Sequence, residues 1–305
     1  MLARSVMPDA LLSLLFTAAL LGSFDAWQRH SRKRLILAFA ALALAVLTKG
    51  LMALLLFVGV WTIFVFLRWR TDGRHAVRFL LQPLPWATFF VVAVPWHLAA
   101  ALEYPDFPWT YFWNEHVLRF LGQRIPQDTY SGSPLYYLPR VVLLFFPWIV
   151  FVPVALRRRA EKTGNGATVF GAVATLCVLA FFSIAAAKAN YYVALALPFA
   201  SVWLATRLGG LAEPRRRELA VTAVLTVMML AAGVWAVTQE VKWATVIARG
   251  HWHTVSLSAV LLAIALAAAV CVRRGYLNLW LLPALATVTL LALALAVNQT
   301  LEAKL

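Results

Sequence analysis

The residues able to do chemistry gather in one stretch, 102–140, LEYPDFPWTYFWNEHVLRFLGQRIPQDTYSGSPLYYLPR. It holds the acids Glu103, Asp106, Glu115 and Asp128, the cations Arg119, Arg124 and Arg140, and His116, among aromatic rings and prolines. Two lysines join this group from elsewhere, Lys49 in LTKGLM and Lys188 in AAAKANYY. Two tyrosine pairs stand beside cations: Tyr136-Tyr137 near Arg140, and Tyr191-Tyr192 near Lys188. Guanidinium and ammonium groups are natural partners of a phosphate or diphosphate headgroup. The plainer readings are snorkelling lysines, an interfacial aromatic belt and an i,i+4 pair between Glu115 and Arg119.

Residues 109–121 read as an amphipathic helix. Trp109, Phe112, Trp113, Val117, Phe120 and Leu121 recur at three- and four-residue spacing, and Asn114, Glu115 and Arg119 fall on the other side. Such a helix would lie in a membrane interface.

The elements that must position these residues are membrane helices. Of the 305 residues, 63% are hydrophobic and 13% charged, and mean hydropathy is +0.81. That composition excludes an ordinary soluble domain. The expected fold is all-α and polytopic, with spans at 8–27, 34–48, 51–67, 80–101, 136–156, 166–187, 191–207, 219–238, 254–272 and 277–297. Each is near the ~20 residues that cross the hydrocarbon core. The second and third, joined by Thr48-Lys49-Gly50, form a tight hairpin in this reading.

The net charge of +15 does not point to nucleic acid, because the cations sit in short clusters between apolar runs. Arg29, Arg32, Lys33 and Arg34 follow the first span, and Arg68, Arg70, Arg74 and Arg78 the third. Arg157, Arg158, Arg159 and Lys162 follow the fifth, Arg207, Arg215, Arg216 and Arg217 the seventh, and Arg273 and Arg274 the ninth. All these clusters share one side, so that side is cytoplasmic. Both chain ends and the 102–140 loop then lie outside. An outside N-terminus requires either a reverse-anchored first helix or an odd number of helices upstream. Asp9 after Pro8 reads as a helix start. Cys177 and Cys271 lie in apolar segments and read as buried small hydrophobes. The loop at 239–253, with His251 and His253, reads as solvated. No Walker loop, GxGxxG or metalloprotease motif is present.

The segments LAVLTKGLMALLL, VPWHLAAALEYPDFPWTYFWNEHVLRF, SGSPLYYLPRVVLLFFPW and AKANYYVALALPFA resemble, in order, segments of the bacterial aminoarabinose transferase family. That family is similar to the protein O-mannosyltransferases and belongs to the GT-C glycosyltransferases that use lipid phosphosugars. The resemblance runs through residues 1–210; beyond that only hydropathy matches. It implies a GT-C-like fold in an inner membrane and transfer of a sugar from a polyprenyl-phosphate carrier to a periplasmic acceptor such as lipid A or another envelope glycan. It also implies that the catalytic Asp lies upstream of this chain, with about three further membrane helices. By the same resemblance Lys49, Arg119, Arg124 and Lys188 would hold the carrier phosphate. Glu115 and His116 match a Glu-His near which a divalent metal can bind. The family's further histidine is missing from QDTYSGSPLYY, where Asp128 is the nearest substitute.

The expected organisation is one transmembrane glycosyltransferase domain, 1–297, with a short outer tail, 298–305. The substrate-binding set is Lys49, Glu115, Arg119, Arg124, Tyr137, Arg140, Lys188, Tyr191 and Tyr192. The rival is a transporter or flippase of a lipid-linked or anionic substrate. Such a protein should show internal repeats and polar residues within broken helices, and neither is evident here.

Overall fold

A computed structural model describes residues 8–127, 131–145, 148–157, 166–189 and 191–208. Among the described residues the fold is all-helical, and the one β-type contact is an isolated antiparallel bridge between Ser131 and Ala187. The chain divides into two compact units, Met1–Leu144 with Ala160–Thr206, and Phe145–Arg159 with Arg207–Leu305.

The first unit begins with α1 (Pro8–Gln28), whose first turn carries Asp9 after a proline that needs no N–H donor there. The chain continues through α2 (Arg32–Lys49), α3 (Met52–Leu67), α4 (Arg74–Leu80) and α5 (Pro83–Glu103). Ion pairs at both ends set α1 and α2 antiparallel: Asp9 meets Lys49, and Asp25 meets Arg34. α3 returns beside them, and its Phe64 packs 5.8 Å from Phe24 and 5.6 Å from Trp27. Phe170 of α9 (Gly166–Ile184) closes this core, stacked 4.5 Å from Phe24. The buried Ser23 accepts a 3.0 Å hydrogen bond from Trp61 Nε1 and donates to the Leu20 carbonyl, so no polar atom is stranded there.

Among the described residues three helices are long and apolar enough to cross a membrane, Pro8–Gln28, Pro83–Glu103 and Gly166–Ile184, and the bent pair Met52–Leu67 with Trp69–Leu80 makes a fourth if it is taken as one span. The expected ten spans are not confirmed. α2 has the length, but Arg32, Lys33, Arg34 and Lys49 crowd its ends. α3 is 16 residues long and turns by 96° into Trp69–Leu80. The expected 136–156 helix is broken. A 3₁₀ turn, Pro134–Tyr137, leads into α7 (Leu138–Leu144), and a second, Trp148–Phe151, leads into α8 (Val152–Arg157). The 191–207 segment opens as a 3₁₀ turn, Tyr192–Ala196, before α10 (Leu197–Leu208). The spans expected at 219–238, 254–272 and 277–297, the 239–253 loop, Cys271 and the 298–305 tail lie outside the described residues, as does Asp128.

The 109–121 segment is also wound differently from the expected α-helix. Trp109–Leu118 is a π-helix, followed by the single turn α6 (Arg119–Leu121). The Arg119 amide bonds back to the Asn114 carbonyl, five residues earlier. This wider winding splits the expected apolar face. Trp109, Phe112, Trp113 and Leu121 stay exposed, Leu121 at the rim of a cavity, whereas the half-buried Val117 and Phe120 turn toward that cavity.

In the second unit, Arg207 donates from Nε and Nη2 to the Ala155 carbonyl of α8, at 3.0 and 2.7 Å.

Candidate functional site

The site is built where the α2–α3 hairpin touches the Trp109–Leu118 π-helix. Between Lys49 and Met52 the chain reverses through Gly50 and Leu51. Gly50 has φ +93° and ψ −171°, a conformation open to glycine and hardly to other residues. A Cβ there would also fall on His116 Nε2, with Cε1 2.8 Å away. The missing side chain is what lets the hairpin tip lie against the imidazole.

That contact starts a hydrogen-bonded chain. The Leu51 amide donates to His116 Nε2 at 2.8 Å, so Nε2 is the acceptor nitrogen. His116 Nδ1 then carries the proton and donates to the Tyr111 carbonyl. The Tyr111 hydroxyl sits 2.8 Å from His97 Nε2, and His97 Nδ1 sits 2.7 Å from the Ala93 carbonyl of α5. Because the carbonyl can only accept, His97 donates from Nδ1 and accepts from Tyr111. Burial pushes the Tyr111 hydroxyl up to about 12, which keeps it a donor. Hairpin, π-helix and α5 are thereby tied together.

Glu115 organises the cations. Arg119 Nη1 donates to its Oε2 at 3.0 Å, and Arg124 donates to Oε1 from Nε at 2.8 Å and Nη2 at 2.7 Å. Burial alone would raise the Glu115 carboxyl. The hydrogen bonds and charges of Arg124 and Arg119 outweigh it and hold the group below its ordinary value. The buried Asn114 clamps the returning loop, donating to the Ile125 carbonyl at 2.6 Å and accepting from its amide at 2.9 Å. Lys49 pairs with Asp9, and its ammonium lies 4.7 Å from the centroid of the Tyr192 ring and 5.3 Å from that of Tyr191.

These groups border a cavity of about 540 Å³. Lys49, Glu115, His116, Arg119 and Tyr192 supply its polar edge, and residues such as Met52, Leu55, Leu121 and Phe181 its apolar wall. A smaller cavity of about 280 Å³ lies alongside, lined by Asp9, Ser13 and Tyr191 and sharing Met52, Phe182 and Tyr192 with the first.

The other predicted site residues stand apart from the larger cavity. Lys188 is 4% exposed and spends its ammonium on the carbonyls of Phe182, Ser183 and Ala185, at 2.9, 2.7 and 2.6 Å. It closes the C-terminal end of α9, where orphan carbonyls and the helix dipole favour a cation. Burial lowers its pKa. Tyr137 is buried under Lys188, and its hydroxyl accepts from the Ala189 amide at 3.2 Å. Arg140 lies 3.4 Å over the Tyr136 ring and donates to the Tyr136 carbonyl at 2.7 Å. Arg124 does not line the larger cavity but pairs with Glu115, which does.

A metal at His116 does not fit this arrangement. Both ring nitrogens are engaged, and the described residues contain no group of three His, Cys, Asp or Glu side chains placed to hold an ion. Sequence reasoning missed Asp9 as a partner of Lys49, Tyr111 as the middle of the hydrogen-bonded chain, and Gly50. The one signal was the glycine directly after the lysine in LTKGLM.

No family model matches the chain. It is 30% identical over 265 residues to the undecaprenyl phosphate-α-4-amino-4-deoxy-L-arabinose arabinosyl transferase 1 of Pseudomonas fluorescens, an alignment covering 85% of this chain and 47% of that protein. A second such transferase, from Proteus mirabilis, is 32% identical over 198 residues, covering 63% of this chain and 34% of its own length. This chain is a relative of the bacterial aminoarabinose transferases. Its fold agrees: the crystal structure of ArnT from Cupriavidus metallidurans bound to undecaprenyl phosphate superposes with a TM-score of 0.71 at 22% identity, covering 95% of this chain and 52% of that one. The apo state of ArnT gives 0.72 at 21% identity. The chain spans about half the length of the Pseudomonas fluorescens transferase and of ArnT.

Proposed function

We propose that this chain belongs to a membrane glycosyltransferase that moves a sugar, aminoarabinose by analogy with its relatives, from an undecaprenyl-phosphate carrier to lipid A or another periplasmic glycan. The observation that carries the reading is the larger cavity, which pairs a cationic edge of Lys49 and Arg119 with an apolar wall. A ligand with an anionic head and a long hydrocarbon tail matches both halves. When the sugar's C1–O bond breaks, negative charge grows on the departing carrier phosphate. Cations fixed beforehand stabilise that charge without reorganising at the moment of reaction. Asp9 and the two tyrosine rings hold Lys49 in place, and Glu115 holds Arg119 and Arg124. In this reading the cavity faces the periplasm and both chain ends lie on that side of the inner membrane.

The test is transfer of labelled aminoarabinose from its undecaprenyl-phosphate carrier to lipid A, in membranes of a host lacking its own transferase and carrying the gene for this protein. Transfer that falls at least tenfold in Arg119→Ala supports the reading. Accumulation of the full-length gene product in the membrane with no transfer from this donor rejects it.

A further inference from the structure

The opposite end of the helix bundle carries a second surface. α1, α2 and α3 each have one end at the cavity, at Asp9, Lys49 and Met52, and the other at Gln28, Arg32 and Leu67. Beyond Leu67, Trp69–Leu80 leaves the α3 axis at 96°. α3 packs beside α1, which is long and apolar enough to cross a membrane, so with the α1 axis along the membrane normal the 96° turn lays this segment in the membrane plane. The turn is fixed by packing. A Cβ on the buried Gly73 would meet the Val65 carbonyl oxygen at 2.6 Å and the Arg68 backbone at 2.9 Å. The inner face of the segment buries Ala76, Phe79 and Leu80. Trp27 Nε1 donates to His75 Nδ1 at 3.3 Å, and the His30 and His75 rings meet at 4.9 Å, so the α1–α2 turn is joined to it.

The outer face is cationic. Arg70, Arg74 and Arg78 recur at four-residue spacing and are all exposed, and Arg74 lies 5.5 Å from the centroid of the half-exposed Trp69 ring. Asp72, the one acid in the segment, is occupied by Arg68 through Nε and Nη2, each at 2.9 Å, and among the described residues no acid pairs with the stripe. Next to it Arg29 and Arg34 share Asp25, while Arg32 and Lys33 are exposed and make no ion pair among the described residues. Orientation of a membrane protein needs cations on one side but no particular arrangement of them. Here they are held in a row, in the membrane plane, beside a tryptophan of the type found at headgroup level.

We infer that Arg70, Arg74 and Arg78 with Trp69 form a binding site for anionic phospholipid headgroups in the leaflet opposite the cavity. Each guanidinium faces a phosphodiester, and Trp69 sits among the glycerol backbones. Phosphatidylcholine, whose choline cancels the phosphate charge, is a poor ligand for such a row.

The test is native mass spectrometry of the purified protein with phosphatidylglycerol and phosphatidylcholine at equal concentration. The wild type should retain phosphatidylglycerol at least tenfold better. The Arg70→Gln/Arg74→Gln/Arg78→Gln variant should lose the preference while keeping its melting temperature, and the corresponding triple lysine variant should keep the preference. Equal retention of the two lipids by the wild type overturns the inference. So does a preference that survives in the glutamine variant, or displacement of the lipid by an equal concentration of soluble glycerophosphoglycerol. Should the glutamine variant melt early, the lysine variant and the soluble competitor still decide between a lipid site and a general anion site.

Discussion

Gly50 and His116 are in direct contact: the space a Cβ would need at Gly50 is filled by the His116 imidazole, whose Nε2 accepts the next amide, Leu51 N–H. One glycine therefore decides whether the α2–α3 hairpin can close against the Trp109–Leu118 π-helix. Gly50→Ala meets both a backbone conformation that costs about 1–3 kcal/mol for other residues and the imidazole itself. The expected outcome is a melting temperature lowered by several degrees and weaker binding of undecaprenyl phosphate. Thermal unfolding in detergent with and without the lipid checks both.

Tyr111→Phe tests the rest of that chain. It keeps the ring and removes only the hydroxyl that donates to His97 Nε2. An acceptor left unsatisfied in a partly buried site costs about 1–3 kcal/mol. The variant should melt earlier than the wild type, and His97→Phe combined with it should cost little more. A double-mutant cycle on melting temperature gives the answer, and fully additive losses would show that the two side chains are not coupled.

Glu115 predicts a dependence on pH. Its folded pKa lies below the ordinary value, so its pairing with Arg119 and Arg124 contributes stability that is complete above the ordinary carboxylate range. That contribution is lost as pH falls through the depressed value. Glu115→Gln should remove this part of the acid sensitivity and leave neutral-pH unfolding less cooperative in the 109–121 segment. Melting temperature against pH, wild type beside variant, checks the sign: the gap between them should narrow on acidification.

Lys188 is a helix-closing group by its contacts, and Lys49 is a cavity group. Lys188→Met keeps much of the volume and strips three carbonyls at the end of α9 of their partner. A loss of about 2 kcal/mol or more in stability is expected, with little change in the salt dependence of lipid binding. Lys49→Ala should show the reverse. Paired melting and binding titrations over a range of salt concentrations separate the two roles.

Several elements were legible in the sequence because local rules set them. Pro8-Asp9 starts α1, the basic runs bracket α2 and α3, and the 80–101 run appears as α5 from Pro83 to Glu103. The π winding of Trp109–Leu118 was not legible, since three- and four-residue spacing reads the same until the backbone bonds are seen. Nor was the pairing of Asp9 with Lys49, whose 40-residue separation leaves no local trace. The convergence of Lys49, Glu115, Arg119 and Tyr192 on one cavity follows from helix packing. Each alone looked like a snorkelling, belt or surface residue.

The most direct measurement is the affinity of the purified protein for undecaprenyl phosphate against uncharged undecaprenol, in the wild type and in Lys49→Ala, by isothermal titration in detergent. The account predicts that the wild type prefers the phosphate at least tenfold and that Lys49→Ala loses most of this preference while still binding the hydrocarbon. Equal binding of phosphate and alcohol by the wild type, or an unchanged preference in Lys49→Ala, would contradict the assignment of this cavity to a lipid-phosphate donor.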